Sequence, residues 1–137
     1  SGNTSNYNAI FKNNIIIFRY SDIKLLMAEG LAATGKNSAA ESILNEIRTQ
    51  AGLQVYKNEE PLKEAIFSER ARELFLEGHR YYDLVRLYKN FNIYKFPESK
   101  MNQAQFNAKK YFWPFDPSLL SANPALIQTP YWSTVNM

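Results

Sequence analysis

The sequence predicts an all-α fold: two tetratricopeptide-like helical hairpins followed by an irregular, aromatic-rich C-terminal tail. Three observations carry this expectation. Apolar residues recur at helical spacing from about Tyr20 to Tyr88. Gly35, Gly52 and Gly78 stand at the ends of the periodic stretches, where a left-handed residue closes a helix. After residue 90 the period dissolves into aromatics, Asn, Gln, Lys and Pro.

Residues 1–15 are polar and Asn-rich and read as a leader or loop remnant, ahead of a helical domain over 16–137. Ile15-Ile16-Ile17-Phe18 reads as a buried strand or an extended lead-in. The first helix runs from about Tyr20 to Thr34, with Tyr20, Ile23, Met27, Gly30, Leu31 and Thr34 on one face. Leu25 and Leu26 widen the apolar arc, so this helix is expected to be largely buried. Ser38-Ala39-Ala40-Glu41 has the pattern of a capping box and places the start of the second helix. Its core stripe is Ala40, Ile43, Leu44, Ile47 and Ala51, and the short linker makes an antiparallel hairpin with the first helix. Glu59-Glu60-Pro61 suits the start of a third helix, which is expected to continue to Glu77 and stop at Gly78. A fourth runs from about Arg80 to Tyr88, with Tyr81, Leu84, Val85 and Tyr88 on one face. Two successive hairpins are the layout of tetratricopeptide-like units. The tail contains Tyr111-Phe112-Trp113-Pro114-Phe115, extended chain into a short helix after Asp116, and turns at Asn123-Pro124 and Thr129-Pro130. It is expected to wrap the helices, which would bury its aromatics, Trp113 among them.

Composition narrows the function. The 137 residues are 45% hydrophobic and 15% aromatic, enough for one core and against disorder. No apolar run approaches the length of a membrane span. Sixteen Lys+Arg against 13 Asp+Glu give a net charge of +3, and the basic residues are interleaved with Glu, which argues against nucleic acid as a partner. The absence of Cys excludes a disulfide framework and a thiolate metal site. Ser1-Gly2-Asn3 begins without a signal peptide, as expected of a cytosolic protein or of one whose leader was removed.

The most unusual motif is Glu69, Glu73 and Glu77 at i, i+4 and i+8, in the same arc as Leu62, Ala65, Ile66 and Leu76. Paired carboxylates can do general acid–base work. Carboxylates in an apolar stripe also need cationic partners, and Arg48, Arg72, Arg80 and Arg86 lie near. The expected arrangement is a structural ion-pair network of Glu69, Glu73, Glu77, Arg80, Asp83 and Arg86, with no catalytic residue. His79 is the lone histidine; no metal-ligand spacing, phosphate loop or other cofactor motif and no serine-nucleophile motif accompanies it. For ligand contact, the candidates are Tyr94, Phe96 and Trp132, flat amphipathic rings outside the regular helices. Lys95, Lys100 and Asn102 are placed to bond sugar hydroxyls.

Four ordered blocks between about residues 17 and 131 resemble the SusD/RagB family. Arg19-Tyr20-Ser21-Asp22-Ile23 with Leu25-Leu26-Met27-Ala28-Glu29 resembles its "RYADVLLMYAEAL". Leu44-Asn45-Glu46-Ile47-Arg48 with Ala51-Gly52-Leu53 resembles "LNxIRxRAGL". Glu69-Arg70, Glu73-Leu74, Glu77-Gly78-His79-Arg80 and Asp83-Leu84-Val85-Arg86 resemble "ERRxELxxEGxRxxDLxR". Trp113-Pro114-Phe115, Leu119-Leu120, Asn123-Pro124 and Gln128-Thr129-Pro130-Tyr131 resemble "FPIPxxEIxxNPxLxQNPGY", although Thr129 replaces an Asn and the Gly before Tyr131 is missing. The resemblance implies a mostly helical nutrient-binding lipoprotein, surface-exposed at the cell outer membrane, that captures oligosaccharides or other nutrients. It further implies a partner, a SusC-type TonB-dependent transporter on which the protein sits as a lid. The matched blocks belong to the C-terminal part of the family's longer chain, so the membrane is reached only through a lipid anchor that these residues do not include. Two other classes fit parts of the sequence: a tetratricopeptide-like adaptor with a peptide groove, and a carbohydrate-active enzyme using Glu73 and Glu77.

Overall fold

A computed structural model describes residues 17–135. They form seven helices, with no strand among them: α1 (Tyr20–Ala33), α2 (Asn37–Gln50), α3 (Leu62–Glu73), α4 (Arg80–Phe91), and three short ones, α5 (Gln103–Asn107), α6 (Pro117–Ala122) and α7 (Pro130–Thr134). The leader or loop remnant expected at 1–15 lies outside the described residues. No helix among those described is long and apolar enough to cross a membrane.

The turn from α1 to α2 follows from Gly35, which sits at φ +78°. Its N–H reaches Ala32 O, and Lys36 N–H reaches Leu31 O at 2.9 Å, so the last carbonyls of α1 are satisfied as the chain reverses. The small residues Ala28, Ala32 and Ala40 then let α1 and α2 approach closely, and all three are buried. Leu25, Leu44, Ile47, Tyr56, Ala65 and Ile66 complete this first core, where α1 packs on both α2 and α3. Leu25, Leu44 and Ile66 are fully buried, and each contributes roughly 1.5–3 kcal/mol of transfer free energy. Ile43 is half-buried and Ala51, beyond the helix, is exposed.

α1 does not bury the face that its apolar residues mark. Tyr20, Ile23 and Met27 are exposed, whereas Asp22, Leu25, Ala28, Glu29 and Ala32 point inward. On the inner face Asp22 and Glu29 meet Arg70 of α3 and Arg86 of α4, beside the buried Leu25, Ala28 and Ala32. Of Ile15-Ile16-Ile17-Phe18, the first two lie outside the described residues; Ile17 and Phe18 are exposed and in no strand, which leaves the lead-in reading for them.

Two helix ends also differ from expectation. α2 begins at Asn37 with Lys36 at its N-cap and no side-chain cap, so Ser38 lies inside the first turn and its capping box does not form. α3 ends at Glu73, four residues short of Glu77. Leu76 takes a left-handed φ of +64° in the turn that follows and is 88% exposed, so it leaves the apolar arc assigned to it. Arg19 donates to Glu73 O and so satisfies a carbonyl at the end of α3.

A second core lies on the far side of α4. Leu84, Phe96, Met101 and Phe106 are buried there, with Val85, Tyr88, Tyr94 and Tyr111 packed around them. The segment after residue 90 is thus organised by aromatic packing: Phe106 stacks on Tyr111 at 4.4 Å and meets Tyr88 edge-on at 4.7 Å. Asn102 starts α5 with a full capping box, its side chain accepting from Gln105 N–H while Gln105 Oε1 accepts from Asn102 N–H.

Candidate functional site

Charged groups fill the space between α1, α3 and α4. Arg70, 1% exposed, places Nη2 2.8 Å from Asp22 Oδ1 and Nε 3.0 Å from Asp83 Oδ1, and donates through Nη1 to Asp22 O at 3.1 Å. Arg86 bridges Asp83 (2.6 Å) to Glu29 (3.1 Å), and Asn90 also donates to Glu29. The Asp22–Arg70 contact is close in distance but outside hydrogen-bond geometry, and Asp83 Oδ2 has no hydrogen-bond partner among the described residues. Each carboxylate here is matched by a guanidinium, a set of contacts that holds helices in register.

The Glu row is divided. Glu69 is buried and pairs with Arg72 at 2.6 Å. Glu73 and Glu77 are part-exposed and both pair with Arg19, at 2.9 and 2.8 Å. Arg48 turns instead to Glu59 and Gln54 O. Arg80 has no carboxylate partner among the described residues and reaches only Phe67 O at 3.4 Å. It therefore stands outside the expected network: it is the exposed first residue of α4, one turn before the buried Asp83. Spacing also missed the centre itself, because Arg70 lies 48 residues from Asp22 and 13 from Asp83; the apolar residues on either side of it, Ala65-Ile66-Phe67 and Leu74, were the available signal.

An aromatic cleft lies beside this framework. The first turn of α4 presents Tyr81 and Tyr82 outward, because Asp83, Leu84 and Leu87 take the inner face. Facing them is the chain after α5. Lys109, at φ +66°, turns it so that Tyr111 seats on Phe106 while Phe112 and Trp113 stay at the surface. Three hydrogen bonds hold the wall: Tyr81 Oη to Tyr111 O at 2.7 Å, Trp132 Nε1 to Phe112 O at 2.7 Å, and Tyr131 N to Ala108 O at 2.8 Å. The resulting cleft of about 370 Å³ is lined by Tyr81, Tyr82, Tyr111, Phe112, Trp113 and Trp132, with Lys110 at its edge. It continues past the same rings to Val85 and Lys89. Trp113 is 88% exposed, Tyr82 62% and Phe112 49%. Burial raises the pKa of the Tyr81 phenol, with Tyr82 and Tyr111 adding to the effect, so it stays a hydrogen-bond donor.

Of the three expected contact residues, only Trp132 lines this cleft. Phe96 is 7% exposed and packs edge-on against Tyr81 in the second core. Tyr94 is half-buried, and its hydroxyl donates to Met101 O. Lys95 is engaged by Glu64 at 2.7 Å and Asn102 by its capping role. Trp113, expected in the core, is the most exposed ring of the wall. The signal for it was present: three consecutive aromatics before Pro114 cannot all face one side of an extended chain.

Comparison with protein families finds the SusD family over residues 2–132. The chain belongs to the SusD family. It is 33% identical over 135 residues to a SusD-like protein of Formosa agariphila, an alignment that covers 90% of this chain and 26% of that protein. The crystal structure of a SusD superfamily protein from Bacteroides thetaiotaomicron matches with a TM-score of 0.69 and 35% identity, over 86% of this chain and 26% of that one. This SusD-family chain thus spans about a quarter of the length of these relatives. Its all-α architecture agrees with the solved relative.

Proposed function

We propose that this chain is the C-terminal helical domain, residues 16–137, of a non-catalytic glycan-binding component of an outer-membrane nutrient-uptake system. It works with a SusC-like TonB-dependent transporter, at the cell surface, as an outer-membrane lipoprotein. Membership of the SusD family supports the class. The observation that carries the binding role is the exposed aromatic wall of Tyr82, Phe112 and Trp113 beside Trp132. Flat rings offer C–H-rich sugar faces a stacking surface, and Trp132 and the adjoining Tyr81 are held in place by hydrogen bonds to Phe112 O and Tyr111 O. The Glu row supports binding over hydrolysis, since Glu69, Glu73 and Glu77 are all engaged by arginines. The ion-pair centre at Arg70 keeps α4, and with it Tyr81 and Tyr82, fixed against α1 and α3.

Calorimetric titration of a panel of oligosaccharides into the protein tests this. Binding is expected for at least one glycan, weakened roughly three- to tenfold in Trp113→Ala, the range expected for losing one stacked ring. Binding unaffected by both Trp113→Ala and Trp132→Ala would move the site elsewhere. Co-purification of the full-length protein with a TonB-dependent transporter from outer membranes tests the partner.

A further inference from the structure

A second pocket, of about 430 Å³, lies beside the aromatic cleft, and Tyr81 and Lys110 line both. Its floor is apolar, built from Leu84, Phe96 and Met101 of the second core. Three cations line it: Arg80, Lys100 and Lys110. No carboxylate lines it.

Those cations stand apart from most other basic residues of the framework. Every one of the 13 Asp and Glu residues lies between Asp22 and Asp116, within the described residues. Arg19, Lys24, Arg48, Arg70, Arg72, Arg86 and Lys95 each pair with one of these acids. Among the described residues none pairs with Arg80, Lys100 or Lys110. Arg80 reaches only Phe67 O at 3.4 Å, and Lys110 Nζ meets two neutral oxygens, Lys100 O and Gln105 Oε1, at 3.2 Å each. Glu98, the acid in the adjoining turn, is exposed and does not line the pocket. Arg80 and Lys100 are exposed and Lys110 is half-buried, so solvent screens their mutual repulsion, but their like charges still favour an anion between them. An anion entering the pocket reverses the sign of this energy.

We propose that this pocket takes the anionic group of a saccharide, a uronic carboxylate or a sulfate ester, while the adjoining sugar rings lie on the aromatic wall. Because Tyr81 and Lys110 line both cavities, the two are neighbours that a single chain can span. This rests on the saccharide-binding reading and adds the ligand's charge to it. Arg80 and the two lysines supply the charge-assisted hydrogen bonds, above the apolar floor of Leu84, Phe96 and Met101.

The test titrates three oligosaccharides of equal length into the protein: one of uronic acids, one sulfated on neutral sugars, and one uncharged. At least one charged chain is expected to bind about tenfold or more tightly than the uncharged one. That preference should shrink as salt rises, and it should fall to within about twofold in Lys100→Gln and in Lys100→Gln/Lys110→Gln. Which charged chain wins identifies the group, carboxylate or sulfate. Equal affinity for charged and uncharged chains, or a preference that survives both salt and the double substitution, overturns the anion pocket and leaves the saccharide reading standing. No binding by any of the three overturns both. An acidic peptide that outcompetes the charged sugars would show the pocket to be a protein-docking site and sink the proposal.

Discussion

Arg70 Nε lies 3.0 Å from Asp83 Oδ1, and both side chains are 1% exposed. The same guanidinium reaches Asp22, so one residue of α3 neutralises an acid on α1 and another on α4. Removing it leaves Asp22 buried without its cation and Asp83 with Arg86 alone. Arg70→Ala is expected to destabilise the fold by roughly 3–5 kcal/mol in urea denaturation. Glu73→Ala is expected to cost less than about 1 kcal/mol, because its partner Arg19 is 31% exposed and the pair is screened by solvent. Similar losses for the two variants would show that burial does not rank these pairs.

The contrast between those residues explains what the sequence could reveal. Helices α1 to α4 were legible because their apolar period and terminal glycines are local signals. The inner face of α1 was not, because Arg70 and Arg86, which match the buried Asp22 and Glu29, lie 48 and 57 residues away. The end of α3 was missed for the same reason: Arg19 holds Glu73 and Glu77 across a break that helical spacing ignores. The aromatic wall joins α4 to a chain segment some 30 residues later, and only tertiary packing decides which ring of Tyr111-Phe112-Trp113 is buried.

Capping gives a second prediction. Asn102→Ala removes the acceptor for Gln105 N–H and is expected to cost about 1 kcal/mol, with amide exchange accelerated in α5. Ser38→Ala is expected to change stability by less than about 0.5 kcal/mol, since Ser38 lies inside α2 and caps nothing. A larger loss at Ser38 than at Asn102 would reverse the assignment of the two boxes.

Ring placement gives a third. Phe96→Ala empties part of the second core and is expected to cost roughly 3–5 kcal/mol in thermal or chemical unfolding. Trp113→Ala is expected to stay within about 0.5 kcal/mol of the parent, as its ring is 88% exposed. A Trp113 variant as unstable as the Phe96 variant would put that ring in a core.

The fourth concerns alkaline pH. Burial raises the phenol pKa of Tyr56, Tyr81 and Tyr94, and each hydroxyl donates to a backbone carbonyl, of Glu60, Tyr111 and Met101 respectively. The folded state therefore holds these protons more tightly than the unfolded chain, whose tyrosines titrate near about 10. Stability from these groups is complete below that pH and is lost as pH rises through the raised folded values. Ring-carbon NMR titration should find all three still protonated when a free tyrosine is half ionised. Ionisation of Tyr81 at or below the free value would break the account of how the cleft wall is held.

The central claim is that saccharide lies on the wall of Tyr82, Phe112, Trp113 and Trp132. The most direct measurement is NMR mapping of amide and indole shifts during titration with neutral and anionic oligosaccharides. The account predicts perturbations centred on Tyr81–Val85, Lys110–Trp113 and the Trp132 indole, with Lys100 joining only for the anionic chain. Shifts confined to α1 and α2, or no shifts at millimolar ligand, would contradict it.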